Sequence, residues 1–148
     1  MPVSSFLTPK SEVVWVSATG SVEQALERMK PNGFSAVPVL DDDGRYVGTL
    51  STSDLIWFLL AADGTWQERA RSTPLECVPR KLQDSALPID ADPPSLIARA
   101  ANQPFVPIVD AQDRFVGLVR RRPLLEHCAR LVGITVEARS STPTRRTA

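Results

Sequence analysis

Two helix starts carry the residues of this 148-residue sequence best suited to chemistry. The first is Gly48-Thr-Leu-Ser51-Thr-Ser-Asp54. A helix opening at Ser51 presents unpaired backbone N–H groups and a positive dipole end, which suit a phosphate. The Ser51 hydroxyl adds a donor. A carboxylate at Asp54 only accepts hydrogen bonds, so a ribose diol suits it, and Gly48 lets a ligand approach the strand backbone closely. The same Ser-x-x-Asp spacing is also that of a capping box, which needs no ligand and stabilises a helix by about 1 kcal/mol. The residues leave both readings open, and the two are compatible.

The second start reads Gly117-Leu-Val-Arg120-Arg121-Arg122-Pro123. Positive charge at a helix amino end is unfavourable by roughly 0.3–1 kcal/mol per group. A bound anion reverses that sign, because guanidinium forks form charge-assisted hydrogen bonds of about 1.5–3 kcal/mol each with phosphate. The bland alternative is a solvated basic face, or pairing with Asp110, Asp113 or Glu126. Pro123 stands where the first start has Asp54, so this start lacks a ribose acceptor. No aromatic stacking platform accompanies the arginines, which argues against nucleic acid as the partner.

The elements that position both starts are duplicated. Residues 34–56 recur 69 positions later as residues 103–125, so that Val37, Pro38, Asp41, Arg45, Val47, Gly48 and Leu55 return as Val106, Pro107, Asp110, Arg114, Val116, Gly117 and Leu124. Each copy reads as a strand, a helix, a hairpin and a second helix. In the first, these are Val13–Val16, a helix capped by Ser21 and ending near Pro31-Asn32-Gly33, strands Phe34–Leu40 and Arg45–Leu50, and a helix from Ser51. In the second, they are Ala86–Ile89, a helix from Pro93-Pro94 through Ala101 and about two residues shorter, strands Phe105–Val109 and Arg114–Val119, and a helix from about Arg121 to Val132. A β-α-β-β-α unit covers one sheet face with helices and leaves the other apolar, so two units close a core by burying those faces together. The fold class is therefore α/β (α+β), with two pseudo-symmetric repeats over 12–61 and 84–132. Residues 1–11 are expected to be a flexible arm, 62–83 an ordered linker, and 133–148 a disordered basic tail. Trp57 and Phe58 are adjacent on one helix and cannot both face one core, so one is expected at the surface, towards a homodimer contact.

Composition bounds the rest. Hydrophobic content of 43%, 23% charged residues and zero formal net charge describe an ordinary globular chain. The balance hides a basic carboxyl end, with eight Arg against three acids over residues 111–148. The apolar run Leu55–Ala62 is far short of the ~20 residues of a membrane span, and two cysteines without CxxC spacing point to reduced thiols in the cytoplasm. His127–Cys128 reads as a surface His beside a buried Cys rather than a metal site. There is no nucleophile–base pair or paired carboxylate, so no enzyme is expected.

The block VPVLDDDGRYVGTLSTSDL and its echo VPIVDAQDRFVGLVRRRPL resemble the cystathionine-β-synthase (CBS) domain family. The resemblance implies a tandem pair, or Bateman module, that binds adenosine-containing ligands in clefts between the repeats and dimerises into discs. EVVWVSATGSVEQAL and GLVRRRPLLEH are similar to small stand-alone CBS proteins of Gram-positive bacteria that bind cyclic di-AMP. That narrower likeness places Val14 against adenine and Arg120, Arg121 and above all Arg122 on the ligand. The ligand-binding set it implies is Val14, Val16, Val37, Pro38, Gly48, Ser51, Asp54, Pro107 and the three arginines. No cofactor is required beyond the adenine nucleotide. The expected role is sensing in the cytoplasm, without catalysis, and signalling to an unidentified effector protein in trans. AMP, ADP, ATP or S-adenosylmethionine sensing, or a ligand-free dimerisation module, are the alternatives.

Overall fold

Ser21 begins the first helix as the sequence requires: its hydroxyl accepts from the Gln24 N–H and the Gln24 side chain accepts from the Ser21 N–H. In the computed structural model, which describes residues 2–33, 35–61, 64–80 and 84–133, the elements follow the order β1 (Leu7–Pro9), β2 (Val16–Ser17), α1 (Val22–Met29), β3 (Ala36–Leu40), β4 (Tyr46–Ser51), α2 (Thr52–Leu60), α3 (Trp66–Ser72), β5 (Leu87–Pro88), α4 (Pro93–Ala100), β6 (Phe105–Val109), β7 (Phe115–Arg120) and α5 (Arg121–Leu131). The sheets run β2-β3-β4 and β1-β7-β6-β5. The architecture is the mixed α/β tandem pair that the repeat implies.

The hairpins match to the residue. Pro38 lies opposite Thr49 and Val39 opposite Gly48, just as Pro107 lies opposite Leu118 and Ile108 opposite Gly117; both ladders slip at the following position. An antiparallel bridge joins Arg45 to Arg114, the same position of the two copies, so the pseudo-two-fold axis passes between them. Both faces of each hairpin are buried, which is why its strands read as nearly continuous apolar runs. Val37 and Val39 turn to the first helical layer, with Val22, Met29 and Leu55. Val106 and Ile108 do the same with Leu96 and Leu124. The opposite faces meet at a seam of Val13, Leu40, Phe105, Phe115 and Leu118.

Several expectations need correction. The strands preceding the helices are two residues long, because Val13 crosses into the seam and Ser85 is tied to the Gln103 side chain instead of a neighbouring strand. The α-helices α1 and α4 are each eight residues long; the extra length of the first copy is a 3-10 turn, Lys30–Asn32, closed by Gly33 at φ 61°. Phe34 lies outside the described residues, as does the expected tail beyond Gly133. The arm is not loose. Val3 is buried with the second core, and β1 pairs with β7. Its prolines and serines suggested mobility, but Val3, Phe6 and Leu7 supply an apolar stripe that the second sheet covers. The linker reciprocates, since Leu75 and Val78 are buried in the first core. Each repeat's leading segment thus packs on the other repeat.

Candidate functional site

At the first helix start the capping box is present. Ser51 Oγ accepts from the Asp54 N–H at 3.2 Å, and Asp54 Oδ2 accepts from the Ser51 N–H at 3.1 Å. Asp54 retains only 4% of its exposure. The structural reading of Ser-x-x-Asp is realised, and any ligand contact with Asp54 must reach a buried, engaged carboxylate. Gly48 is close to protein rather than open: a Cβ there would lie 2.8 Å from Arg80 Nε, whose Nη2 donates to the Val47 carbonyl at 3.4 Å. Gly117 is tighter still, because a Cβ would meet the Thr8 carbonyl oxygen at 2.3 Å. Both glycines make room for the exchanged leading segments. That corrects the expectation that Gly48 serves ligand approach.

The second helix start is built differently. Arg120 occupies the N-cap position without a side-chain cap, and the first turn of α5 holds no acid. Arg121 Nε donates to the Ala100 carbonyl at 2.8 Å, tying α5 to the end of α4. Arg122 Nε pairs with Glu126 Oε1 at 2.9 Å, with both side chains well exposed. The pairing with Glu126 that the sequence allowed is therefore made. It is an i,i+4 pair in the less favourable polarity, with the cation nearer the amino end.

Of the other residues singled out, Val16 and Val37 each keep 1% exposure inside the first core, so their side chains are packing groups rather than cleft walls. Val14 is half-buried against the same core. Pro38 and Pro107 are buried on the seam-facing side of their strands, opposite Thr49 and Leu118. The described contacts tie Val14 to the first repeat and Arg121 and Arg122 to the second, and none joins the two groups. Trp57 is 64% exposed, whereas Phe58 packs on the first core with the Arg69 guanidinium 4.1 Å above its ring. Cys128 is half-buried rather than buried, and Phe6 stacks edge-on against His127 with centroids 5.2 Å apart.

The sequence reading missed a polar group at the seam. The Tyr46 hydroxyl and Thr49 Oγ1 are 2.6 Å apart, and Thr49 is the hydrogen-bond partner of the Asp84 carboxyl. Burial pushes the Tyr46 phenol up to about 12, with Thr49 opposing and the Asp84 charge adding to the rise. Burial also raises Asp84, against the pull of Thr49 and of the Arg121 charge. Tyr46, Asp84, Ser85 and Ala86 line a cleft of about 720 Å³ that runs between the two hairpin turns. Arg45 is on its wall; Arg120, Arg121 and Arg122 are not among the described residues that line it.

Residues 3–61 match the CBS domain family. The matched stretch is the first repeat with its leading segment. The match begins at residue 3, not 12, in agreement with the packed leading segment. The chain folds as a tandem CBS pair: it is similar to a crystal structure of CbpB in complex with c-di-AMP, at 26% identity and TM-score 0.75 over 89% of this chain and 87% of that one. A hypothetical conserved protein from Geobacillus kaustophilus is similar at 26% identity and TM-score 0.77, over 88% and 98% of the two chains. A CBS domain-containing chloroplast protein, CBSX1 of Arabidopsis thaliana, is 37% identical over 54 residues, which span 36% of this chain and 23% of that protein. Among the described residues no helix is long and apolar enough to cross a membrane.

Proposed function

We propose that this tandem CBS pair is a non-catalytic regulatory module that binds an adenine nucleotide, cyclic di-AMP above the others, and acts on a partner protein in the cytoplasm. The observation that carries the reading is the amino end of α5. It has no side-chain cap and no first-turn acid, and three successive arginines stand where α2 has a complete capping box. An anion is drawn to the positive end of the helix dipole and to the guanidinium forks together. Similarity to CbpB, crystallised with c-di-AMP, supports the choice of ligand. In this reading the phosphate meets Arg121 and Arg122, and the adenosine part lies in the neighbouring cleft.

The outer face of α2 supports a homodimer: Ile56, Trp57 and Leu60 are 52%, 64% and 71% exposed on one short helix. Contiguous apolar surface of this kind marks an association site.

Calorimetric titration of the whole chain with cyclic di-AMP, AMP, ADP, ATP and S-adenosylmethionine tests the reading. Cyclic di-AMP is expected to bind most tightly. At about 100 times its Kd it should stabilise the fold by about 2.7 kcal/mol. Silence from all five leaves an unliganded structural module and overturns the proposal.

A further inference from the structure

The seam between the repeats breaks its own symmetry at three linked positions. Val16 pairs with Val39 as Leu87 pairs with Ile108, so three residues earlier Val13 and Asp84 are counterparts. The hairpin registers make Tyr46 the counterpart of Phe115 and Thr49 that of Leu118. On one side Val13, Phe115 and Leu118 are buried against one another with Leu40 and Phe105. On the other side the same three positions hold Asp84, Tyr46 and Thr49. One half of the seam is sealed by hydrocarbon and the other carries a polar chain.

The Tyr46 and Thr49 hydroxyls are hydrogen-bonded at 2.6 Å, and Thr49 acts on the Asp84 carboxyl, which as a carboxylate accepts only. Tyr46, Thr49 and Asp84 thus make one polar cluster on this half of the seam. Asp84 Oδ2 is buried and has no hydrogen-bond partner among the described residues. An unpartnered carboxylate oxygen is costly in a place where the equivalent side uses valine. Asp84 and Tyr46 both line the 720 Å³ cleft, and Asp41, Asp110 and Asp113 line it too. Arg45 is on the same wall, but the four carboxylates outnumber it, and together they favour N–H or O–H donors over a phosphate. The Arg121 charge acts on Asp84, so the basic start of α5 lies within electrostatic reach of this carboxyl.

We propose that Asp84, held by Thr49 and Tyr46, is the acceptor for a neutral donor of the bound nucleotide, either the exocyclic amine of adenine or a ribose hydroxyl. The inference rests on the nucleotide reading above and adds to it. Asp84 supplies the second repeat with the carboxylate that its helix start lost to Pro123. The cleft takes the base or sugar, and α5 takes the phosphate.

The test is calorimetry on the whole chain with cyclic di-AMP, using wild type, Asp84→Asn and Tyr46→Phe. The first variant keeps the shape of the acceptor and removes its charge; the second copies the counterpart Phe115 and removes only the phenol hydroxyl. Asp84→Asn should weaken binding roughly ten- to a hundredfold, the range for one hydrogen bond to a charged group. Its melting temperature should not fall, because a raised carboxyl is a destabilising charge at neutral pH; a purely structural Asp84 would lower it. Tyr46→Phe should weaken binding less, by a few-fold, through its effect on Thr49. The inosine and 2′-deoxy analogues of cyclic di-AMP then name the donor, since the analogue that lacks it loses affinity on wild type and not on Asp84→Asn. If both analogues bind wild type as tightly as the parent, or if wild type and Asp84→Asn bind alike, Asp84 is not the acceptor and the nucleotide reading survives. If wild type binds none of them, both fall.

Discussion

Removing Arg122 separates a binding role from a structural one. In the free protein Arg122 makes an exposed ion pair with Glu126 at 2.9 Å. An exposed i,i+4 pair contributes about 0.3–0.5 kcal/mol, and less in this polarity. Taking a cation away from a helix amino end returns about 0.3–1 kcal/mol. The two terms nearly cancel, so Arg122→Ala should change stability by at most about 0.5 kcal/mol, or roughly 1–2 °C in Tm for a domain of this size. Binding should respond very differently. Loss of one guanidinium–phosphate contact costs at least about 1.5 kcal/mol, which is roughly tenfold in Kd. Glu126 competes with the ligand for Arg122 in this account, so Glu126→Gln should tighten binding of cyclic di-AMP while leaving Tm nearly unchanged. Differential scanning calorimetry and titration calorimetry on the three proteins read both quantities. An unchanged Kd for Arg122→Ala, or a Tm loss of several degrees without any change in affinity, would refute the reasoning.

Other perturbations act on the fold that holds the site. Gly117→Ala places a methyl group 2.3 Å from the Thr8 carbonyl, a backbone atom that cannot yield without moving β1; overpacking of this kind costs about 1–3 kcal/mol, and limited proteolysis should cut near residue 9 in the variant and not in wild type. Asp54→Ala removes the carboxylate half of the capping box and leaves the Ser51 N–H without its acceptor, so Tm should fall in line with a loss of about 1–3 kcal/mol; a large affinity loss at unchanged Tm would instead return Asp54 to the ligand. Trp57→Glu should convert a dimer to a monomer in sedimentation velocity, whereas a wild-type monomer at micromolar concentration removes α2 from any self-association. Stability should also depend on pH through Asp84. Its carboxyl is raised in the folded state by burial, so the fold binds that proton more tightly than the unfolded chain does. The contribution is present below the ordinary carboxylate range and is lost as pH rises through the folded value. Relative to wild type, Asp84→Asn should therefore gain stability as pH rises from 4 to 7.

How much of this was legible in the sequence follows from what repeats and what does not. The hairpins were readable because the match at 69 residues carries its turn and its Gly with it, and the structure gives the two ladders the same register and the same slip. The capping boxes at Ser21 and Ser51 were readable because each is local, fixed by residues three apart. The packed leading segment was not. Val3, Phe6 and Leu7 form too short a pattern to outweigh two prolines, and their partners lie more than a hundred residues away on β7. Gly48 and Gly117 were noticed as places of close approach, but the sequence does not say that Arg80 and Thr8 are what approach. The seam network was missed for a subtler reason. The leading strands align at 71 residues and the hairpins at 69, so Asp84 against Val13 never appears in one ungapped comparison with Thr49 against Leu118 and Tyr46 against Phe115. Searching each segment at its own offset for polar residues opposite apolar ones would have found all three.

A crystal structure of the protein with cyclic di-AMP tests the account most directly. The account predicts phosphate density within hydrogen-bond distance of the Arg121 and Arg122 guanidinium groups, Arg122 released from Glu126, and an adenine or ribose donor on Asp84. Phosphates seated over Ser51 and Asp54 instead, with the Arg122–Glu126 pair intact, would contradict it.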